Sequence, residues 1–334
     1  YENREDVKEY FTLQEARENN FKIDWKNQQE VPPVQSGIHT FKNLSLERLI
    51  ELIDWTPFFI TWELKGKYPD ILNSPQYGKL ARSLYKDARK MLREMIANNT
   101  PTANAVIGIF PANSINSDDI EVYSDENRNE ALTVFRTLRQ QLKKGEGQSN
   151  FALADFIAPK SSGFHSYLGV FAVTAGTGIS SLIDPFRENQ DDYSVIMAQA
   201  LADRLAEALA EHMHQLVRRE YWGFSHGEML TTKQLIKEEY QGIRPAAGYP
   251  ACPDHTEKRT IYNLLGVEEK IGMTLTEQCA MMPASSVSGL YFMHPKSRYF
   301  GLGRIGKDQI EDYAARKSQT VEETEKWLQS NLNY

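Results

Sequence analysis

Cysteine is scarce in this chain of 334 residues, which has only Cys252 and Cys279. Two cysteines are too few for a disulfide framework, and they lack the paired spacing of a zinc site. The sequence therefore predicts a reducing, cytoplasmic setting and no bound metal ion.

Long apolar runs and a one-sided charge are also lacking. No apolar run approaches the ~20 residues that a membrane helix requires, and no charged-then-apolar leader opens the chain. The 45 acidic and 38 basic residues leave a formal charge of -7 that is spread along the sequence. This distribution argues against nucleic acid or an anionic membrane as the main partner. Because the chain begins at Tyr1 and not at a methionine, we expect it to be a piece of a longer polypeptide.

Apolar residues make up 41% of the chain, enough for a substantial core. Their periodicity predicts short strands grouped in the middle of the sequence, with helices before and after. Because strands and helices do not alternate regularly, we predict an α+β fold with a central antiparallel sheet. The predicted strands are residues 105–110, 119–123, 132–135, 167–173, 288–292 and 299–303, and the main predicted helices are 77–98, 193–221, 232–240, 256–265, 307–317 and 320–329.

The N-terminal part reads as an arm packed on a body. Thr12 followed by Glu15 is a capping box for a helix over residues 12–20. A second helix is predicted to begin after Ser45 and to end near Asp54, since Pro57 disfavours helix just before it. We divide the chain into an arm, residues 1–30, and one structural unit, residues 31–334.

A G-x-G-x-x-G pattern at Gly301, Gly303 and Gly306 is typical of dinucleotide binding, but its context is wrong. Such a turn needs a βαβ unit of about 30 residues with further strands beyond it. Only 28 residues follow Gly306. We therefore interpret these glycines as allowing close approach of a strand backbone.

The segment RPAAGYPACP, residues 244–253, has three prolines, a glycine and small residues, so it must be a stiff extended loop. Arg244 at its start offers a bidentate fork for a carboxylate. Asp54 lies beside aromatic residues, where a carboxylate usually has a partner. Together the two could hold the charges of an amino-acid zwitterion. A structural connector and a carboxylate exposed at a helix end are the open alternatives.

Three side chains on the helix over residues 193–221, Asp203, Glu207 and His214, fall within about 40° of each other at ~100° per residue. This acidic stripe indicates a solvated face, a docking face or, least of all, metal ligands. His255 follows Asp254, a plausible helix cap, but no nucleophile completes a catalytic dyad. Tyr299 and Phe300, at the start of a predicted strand, are candidates for the core or for ligand stacking.

Several segments, in order, resemble the C-terminal domain of cobalamin-dependent methionine synthase. They are IDWTPFF (53–59), GKYP (66–69), DFIAP (155–159), ALADRLAEALAEHMH (200–214), GIRPAAGYPACPDHTEK (242–258), SSVSGLYF (285–292) and KDQIEDYAARK (307–317). The most specific part is R-x-x-x-G-Y-P followed by C-P-x-H-T-E-K. Ala247 departs from the family pattern, since many relatives have proline there.

The resemblance implies an elongated, C-shaped α+β domain that binds S-adenosylmethionine. It implies binding residues at Asp54, Arg244, Ala246, Gly248, Tyr249, Tyr299 and Phe300, and a surface at Asp203 and Glu207 that docks a cobalamin-binding domain of the same polypeptide. The domain would present a methyl group that reactivates oxidised cobalamin, with an electron from a flavodoxin-type donor.

By the same resemblance, the rest of the methyltransferase chemistry belongs to other domains. No D-x-H-x-x-G cobalamin segment occurs in this chain, and the cysteine set for zinc-dependent homocysteine activation is missing. We therefore expect the isolated chain to bind S-adenosylmethionine but not to make methionine. The alternatives are a free-standing S-adenosylmethionine sensor and a hydrolase or metalloenzyme that uses His255 or His214.

Overall fold

The computed structural model describes residues 9–334. Eight strands lie in this part of the chain: β1 Gly37–Leu44, β2 Thr102–Ile115, β3 Asp119–Tyr123, β4 Ala131–Arg136, β5 Ser166–Thr177, β6 Thr274–Leu275, β7 Met281–Met282 and β8 Ser286–Tyr291. The α-helices are α1 Leu13–Glu18, α2 Leu46–Ile50, α3 Trp55–Thr61, α4 Gly78–Ala97, α5 Ser180–Glu188, α6 Asp192–Leu216, α7 Thr232–Ile236, α8 Glu257–Leu265, α9 Val267–Ile271, α10 Lys307–Lys317 and α11 Val321–Leu328.

Six strands form one antiparallel sheet, in which five follow the order β4-β3-β2-β5-β8 and the sixth, β1, pairs with β2. The long strand β2 pairs with β5 on one side; on the other side its first half pairs with β1 and its last residues with β3. β6 and β7 make a separate two-stranded ribbon. The architecture is therefore the α+β fold with a central antiparallel sheet that the sequence predicts.

Both faces of the sheet are buried, because successive side chains of a strand point to opposite faces. Along β2, Ala105, Ile107 and Ile109 pack into a core cluster with helices α2, α3, α4 and α6. The intervening Val106 and Phe110 pack into a second cluster with α8 and α9. The result is three layers, with α6 and α8 on opposite sides of the strands.

Most predicted elements are confirmed. Strands β2 to β5 include the predicted strands of that region, β8 covers residues 288–291 of the predicted strand 288–292, and α4 and α10 agree with the predicted helices. The capping boxes at Thr12 and Thr320 are present, with both reciprocal hydrogen bonds. The arm packs on the body, since Leu13 is buried. Its boundary at residue 30 stays a prediction, and residues 1–8 lie outside the described part.

Three predictions about local structure are wrong. The helix after Ser45 ends at Ile50, and Asp54 begins the next helix as its N-cap, because Pro57 fits the first turn of that helix. The side chain of Ser45 makes no capping bond. Residues 299–303 form no strand, so Gly301 and Gly303 lie in irregular backbone and not in a strand that approaches another backbone.

No helix within residues 9–334 combines the length and apolar character needed to cross a membrane.

Candidate functional site

The loop of residues 244–253 lies against the edge of β8. The amide of Leu290 donates to the carbonyl of Pro245 at 2.9 Å, and Ala246 pairs with Gly289. A Cβ atom at Gly289 would lie 2.4 Å from the Pro245 carbonyl oxygen. Glycine at this strand position therefore lets the proline-rich loop continue the sheet as a short extra edge.

Gly248 lets the loop turn sharply. The Gly248 amide donates to the carbonyl of Cys252 at 2.7 Å, and the backbone φ of Gly248 is +95°. A Cβ atom there would lie 2.5 Å from Cε1 of His255. Since Lys258 Nζ lies 3.0 Å from Nδ1 of His255, the imidazole is itself held in place. The His255 ring therefore packs against the loop at Gly248 and fixes its position.

The start of α8 is tied to α10 by buried charges. Asp254 accepts hydrogen bonds from the amide of Thr256 at 2.8 Å and from Nζ of Lys317 at 2.7 Å. Burial alone would raise the pKa of Asp254, but the ion pair with Lys317 and these hydrogen bonds leave it below its ordinary value. The predicted helix-capping role of Asp254 is wrong, because the N-cap of α8 is Thr256, which makes no side-chain capping bond; Asp254 instead holds the turn just before the helix. The C-P-D-H-T-E-K segment is structural support for the loop.

Most of the predicted binding residues meet in one cleft. Its larger part, of about 520 Å³, is lined by Arg244, Ala246, Tyr249, Tyr299 and Phe300. Its smaller part, of about 230 Å³, is lined by Asp54 and by Arg204 of α6. Arg244, Glu207 and Glu238 line both parts, so the two parts adjoin. Arg244 and Asp54, far apart in sequence, thus share one cleft. Gly248 does not line it but shapes its wall.

Arg244 is held by three neighbours. Its Nη1 atom donates to Oε2 of Glu211 at 2.5 Å and to the hydroxyl of Tyr240 at 2.6 Å. Its backbone amide donates to the Tyr299 hydroxyl at 3.0 Å. Burial works to lower the pKa of Arg244, but Glu211 and Tyr240 outweigh it and raise that pKa. The guanidinium is therefore a fixed cation in the wall of the cleft.

Asp54 enters the cleft from the start of α3. Its Oδ1 atom accepts the amide hydrogen of Thr56 at 2.9 Å, which is the N-cap interaction. Within residues 9–334 its Oδ2 atom has no hydrogen-bond donor. One carboxylate oxygen fixes the side chain, and the other is available to a cationic group.

The acidic stripe of α6 is not a uniformly solvated face. Asp203 is exposed and accepts from the hydroxyl of Ser285 at 2.7 Å, while Glu207 lines the cleft. Further along, Glu211 and His214 are buried. The His214 ring stacks on Tyr291 at 5.0 Å, and burial, with nearby arginines, holds its pKa well below the usual range. Among residues 9–334 no group of three metal-ligating side chains comes together.

Tyr299 and Phe300 have different environments. Phe300 packs beside the second core cluster, with its ring 5.8 Å from that of Phe151. Tyr299 is 40% exposed and borders the cleft, so the core interpretation is wrong for it. The irregular backbone of residues 299–303 is held by the amide of Leu302, which donates to Pro250 of the loop at 2.8 Å.

Sequence reasoning missed three residues of this site: Glu211, Glu238 and Tyr240. The predicted helix over residues 232–240 concealed the last two, because α7 ends at Ile236 and Glu238 has a backbone φ of +56°. Their closeness to Arg244 in the chain was the signal available. Glu211 lies on α6 four residues after Glu207, where a glutamate on a helix gives no signal of its own.

Two comparisons with known proteins bear on this site. The family described as "Vitamin B12 dependent methionine synthase, activation domain" matches residues 45–318. A crystal structure of the MetH reactivation domain bound to AdoHcy is similar to the whole chain, with a TM-score of 0.94. The two sequences are 50% identical, over 97% of this chain and 99% of the other.

Proposed function

The chain belongs to the family of vitamin B12-dependent methionine synthase activation domains, and from that premise we propose that the cleft around Arg244 binds S-adenosylmethionine for reactivation of the enzyme's cobalamin. The observation that carries this proposal is the meeting of Arg244 and Asp54 in one cleft. A guanidinium and a carboxylate placed there match the carboxylate and ammonium groups of the methionyl end. The similar domain bound to AdoHcy supports the same ligand class.

The charge of the cleft also suits a sulfonium ligand. Glu207 and Glu238 line both parts of the cleft, and Asp54 and Glu211 add two further carboxylates in the smaller part. A positively charged sulfur is attracted to carboxylates in a partly desolvated cleft more strongly than in water. We assign the methionyl end to Arg244 and Asp54. The loop residues Ala246, Gly248 and Tyr249, with Tyr299 and Phe300, form or shape the remaining wall.

The chain contributes binding and orientation. S-adenosylmethionine supplies an activated methyl group, since a sulfonium is an electrophile with a neutral leaving group. The stiff proline-rich loop limits the conformational freedom lost on binding, and the fixed Arg244 sets the direction of the ligand. We therefore expect the isolated domain to bind this ligand without making methionine, because cobalamin and zinc are held by other domains of methionine synthase.

The exposed end of the α6 stripe is our proposed docking surface for the cobalamin-binding domain of the same polypeptide. It comprises Asp203 and Glu207, and Asp203 is the better probe because Glu207 also lines the cleft. Asp203→Asn should shift the balance between reactivation and turnover conformers of the full-length enzyme. Unchanged conformer populations would exclude the docking role. A flavodoxin-type protein as the electron donor and a reducing, cytoplasmic setting belong to the same proposal.

The ligand assignment is tested by calorimetric titration with S-adenosylmethionine. Arg244→Ala should weaken binding at least about 30-fold, since removing one partner of a buried charge pair typically costs 2–5 kcal/mol. Arg244→Lys keeps the charge but loses the planar fork, so its affinity should fall between the two.

A matched control is Arg187→Ala, because Arg187 is exposed and its ion pair with Asp184 lies away from the cleft. This variant should bind like the parent. Circular dichroism and a thermal melt establish that each variant is folded. If folded Arg244→Ala protein binds as tightly as the parent, Arg244 does not hold the carboxylate. A folded parent that gives no binding heat excludes the ligand itself.

A further inference from the structure

Two side chains bind the same nitrogen of Arg244. Glu211 and Tyr240 both accept from Nη1, and within residues 9–334 the other guanidinium nitrogens have no hydrogen-bond acceptor. We propose that Glu211 and Tyr240 are positioning residues, which turn the guanidinium so that its remaining donors are available to a ligand carboxylate. This inference rests on the proposed function; Tyr240 lines neither part of the cleft, whereas Glu211 lines the smaller part beside Arg244.

Glu211 is itself held by a second arginine, Arg218. Its Oε1 atom lies 3.5 Å from Nη2 of Arg218, whose side chain is fully buried. Arg218 in turn donates to both carboxylate oxygens of Glu228, at 2.7 and 2.9 Å. The four side chains alternate in sign from Arg244 to Glu228. Each charge in this row therefore has a neighbour of opposite sign. The negative charge of Glu211 is balanced by Arg218 and by Nη1 of Arg244, so the Nε and Nη2 donors of Arg244 are not needed to balance it.

Tyr240 anchors Arg244 without adding a charge. Burial is the main reason that the pKa of Tyr240 is raised, so the phenol stays protonated. Its ring is located by other contacts, since the guanidinium of Arg218 lies 4.0 Å from the ring centroid and the His214 ring lies 5.0 Å away. Tyr240→Phe should keep these ring contacts and remove only the acceptor for Nη1.

The effect on binding follows from the freedom of the arginine side chain. A free arginine loses rotamer entropy when it binds a ligand, whereas one already held in the bound direction loses little. Removing one of two anchors should restore part of that freedom. We expect Tyr240→Phe to weaken binding of a ligand with a carboxylate about fivefold to tenfold.

The experiment compares two ligands that differ in one group. S-adenosylhomocysteine has the carboxylate, and S-adenosyl-3-thiopropylamine lacks only that group. Calorimetry with the parent and Tyr240→Phe should show a loss of affinity of about fivefold to tenfold for S-adenosylhomocysteine. The affinity for S-adenosyl-3-thiopropylamine should change by less than about twofold. Equal losses for both ligands, or no loss for either, would overturn the positioning role.

The matched control is Tyr262→Phe. Tyr262 is buried in the second core cluster, on the α8 side of the sheet, and its hydroxyl has no hydrogen-bond partner among the described residues. It should leave both affinities within twofold of the parent. Tyr262→Phe could instead weaken the binding of S-adenosylhomocysteine, relative to the ligand without the carboxylate, as much as Tyr240→Phe does. Loss of any tyrosine hydroxyl would then have this effect, and the proposal would be overturned.

A second measurement needs no ligand. Side-chain nitrogen NMR of Arg244 reports rotation about its Nε–Cζ bond, which the Nη1 anchors should hinder. Separate Nη signals in the parent and faster averaging in Tyr240→Phe are expected; identical rotation in the two would contradict the anchoring. A parent that binds neither ligand would remove the proposed function, yet this comparison would still decide whether Tyr240 holds Arg244.

Discussion

At the scale of single residues, Gly248 controls the shape of the binding loop through two separate restrictions. Its φ of +95° disfavours any side chain, and the space beside it is filled by the ring of His255. Gly178 shares only the first restriction, because its φ is +79° but no atom lies within 4 Å of the position of its Cβ. Alanine substitutions at these two glycines therefore distinguish the cost of backbone strain from the cost of a steric clash.

We predict that Gly248→Ala weakens S-adenosylmethionine binding at least tenfold, because the new methyl group must push the loop away from His255. Backbone strain alone costs about 1 kcal/mol of stability. Gly178→Ala should show that cost in urea unfolding and bind the ligand normally. If the steric explanation is correct, adding His255→Ala to Gly248→Ala restores much of the affinity; no restoration would contradict it.

Residues that line the candidate site could be singled out from sequence where their chemistry was unusual for its position. Arg244 stood at the head of a loop that could form neither helix nor central strand, and Asp54 stood in aromatic company. Tyr240 and Glu211 gave no such signal, because a tyrosine near a helix end and a glutamate on a helix are ordinary. The contact of Glu211 with Arg244 depends on how α6 packs in the fold, and that of Tyr240 on the irregular backbone after α7; local patterns encode neither.

At the scale of elements, the turn after β8 meets the short helical segment Trp25–Asn27 of the arm. The rings of His294 and Trp25 pack edge to face, with centroids 5.1 Å apart. Nδ1 of His294 accepts the amide hydrogen of Lys296 at 3.1 Å. Burial, with Lys296 nearby, lowers the pKa of His294 to about 4. The contact between these two elements thus requires a neutral imidazole.

This requirement makes stability depend on pH. The unfolded chain protonates His294 near pH 6.5, whereas the folded chain does so near pH 4. Protonation therefore favours unfolding, and the contribution of His294 is complete above pH 6.5 and is lost as the pH falls towards 4. His294→Asn should retain an acceptor for the Lys296 amide and remove this titration.

Urea unfolding at pH 7 and pH 5 measures the effect. We expect the parent to lose more unfolding free energy between these values than His294→Asn does. Other groups titrate equally in both proteins, so the difference between them isolates His294. Equal losses would mean that the imidazole is not held neutral.

At this scale, elements with a clear apolar pattern were predicted correctly from the sequence, and elements with a weak or misleading pattern were not. Helix α4 has apolar residues at helical spacing along its whole length, and α10 has a shorter stripe of Ile310, Tyr313 and Ala314; both were predicted nearly to the residue. Strand β1 was missed because its side chains are at most half-buried, so its sequence GIHTFKNL lacks a clear apolar run. The sequence of residues 299–303 has strand propensity, but the Leu302 amide bonds to Pro250 of the proline-rich loop and the backbone there is irregular. Propensity does not reflect such a tertiary contact.

At the scale of the whole molecule, Asp118 joins three distant parts of the chain. It lies in the turn between β2 and β3, and its side chain is completely buried. It accepts from Nε of Arg17 in the arm at 2.6 Å and from Nε of the buried Arg139 at 2.7 Å. Arg17 also reaches Asp312 of α10 at 2.9 Å. One carboxylate thus links arm, sheet and C-terminal helices.

We predict that Asp118→Asn lowers the unfolding free energy by about 1–3 kcal/mol, since the buried Arg139 loses one of its two carboxylate partners and keeps Asp155. Asp184→Asn is the control, because that pair with Arg187 is more than half exposed and should change stability by less than about 1 kcal/mol. Urea unfolding compares the two. Equal, small effects would show that water reaches the Asp118 cluster.

The cleft draws its walls from α3, α6, the loop after α7 and the irregular segment before α10. These segments span residues 54 to 301, so no partly folded portion of the chain contains the complete site. Ligand binding and global folding are consequently linked equilibria. At a ligand concentration 100 times the dissociation constant, the native state gains about 2.7 kcal/mol. The cellular supply of the methyl donor thereby also sets how much of the domain survives heat or proteolysis.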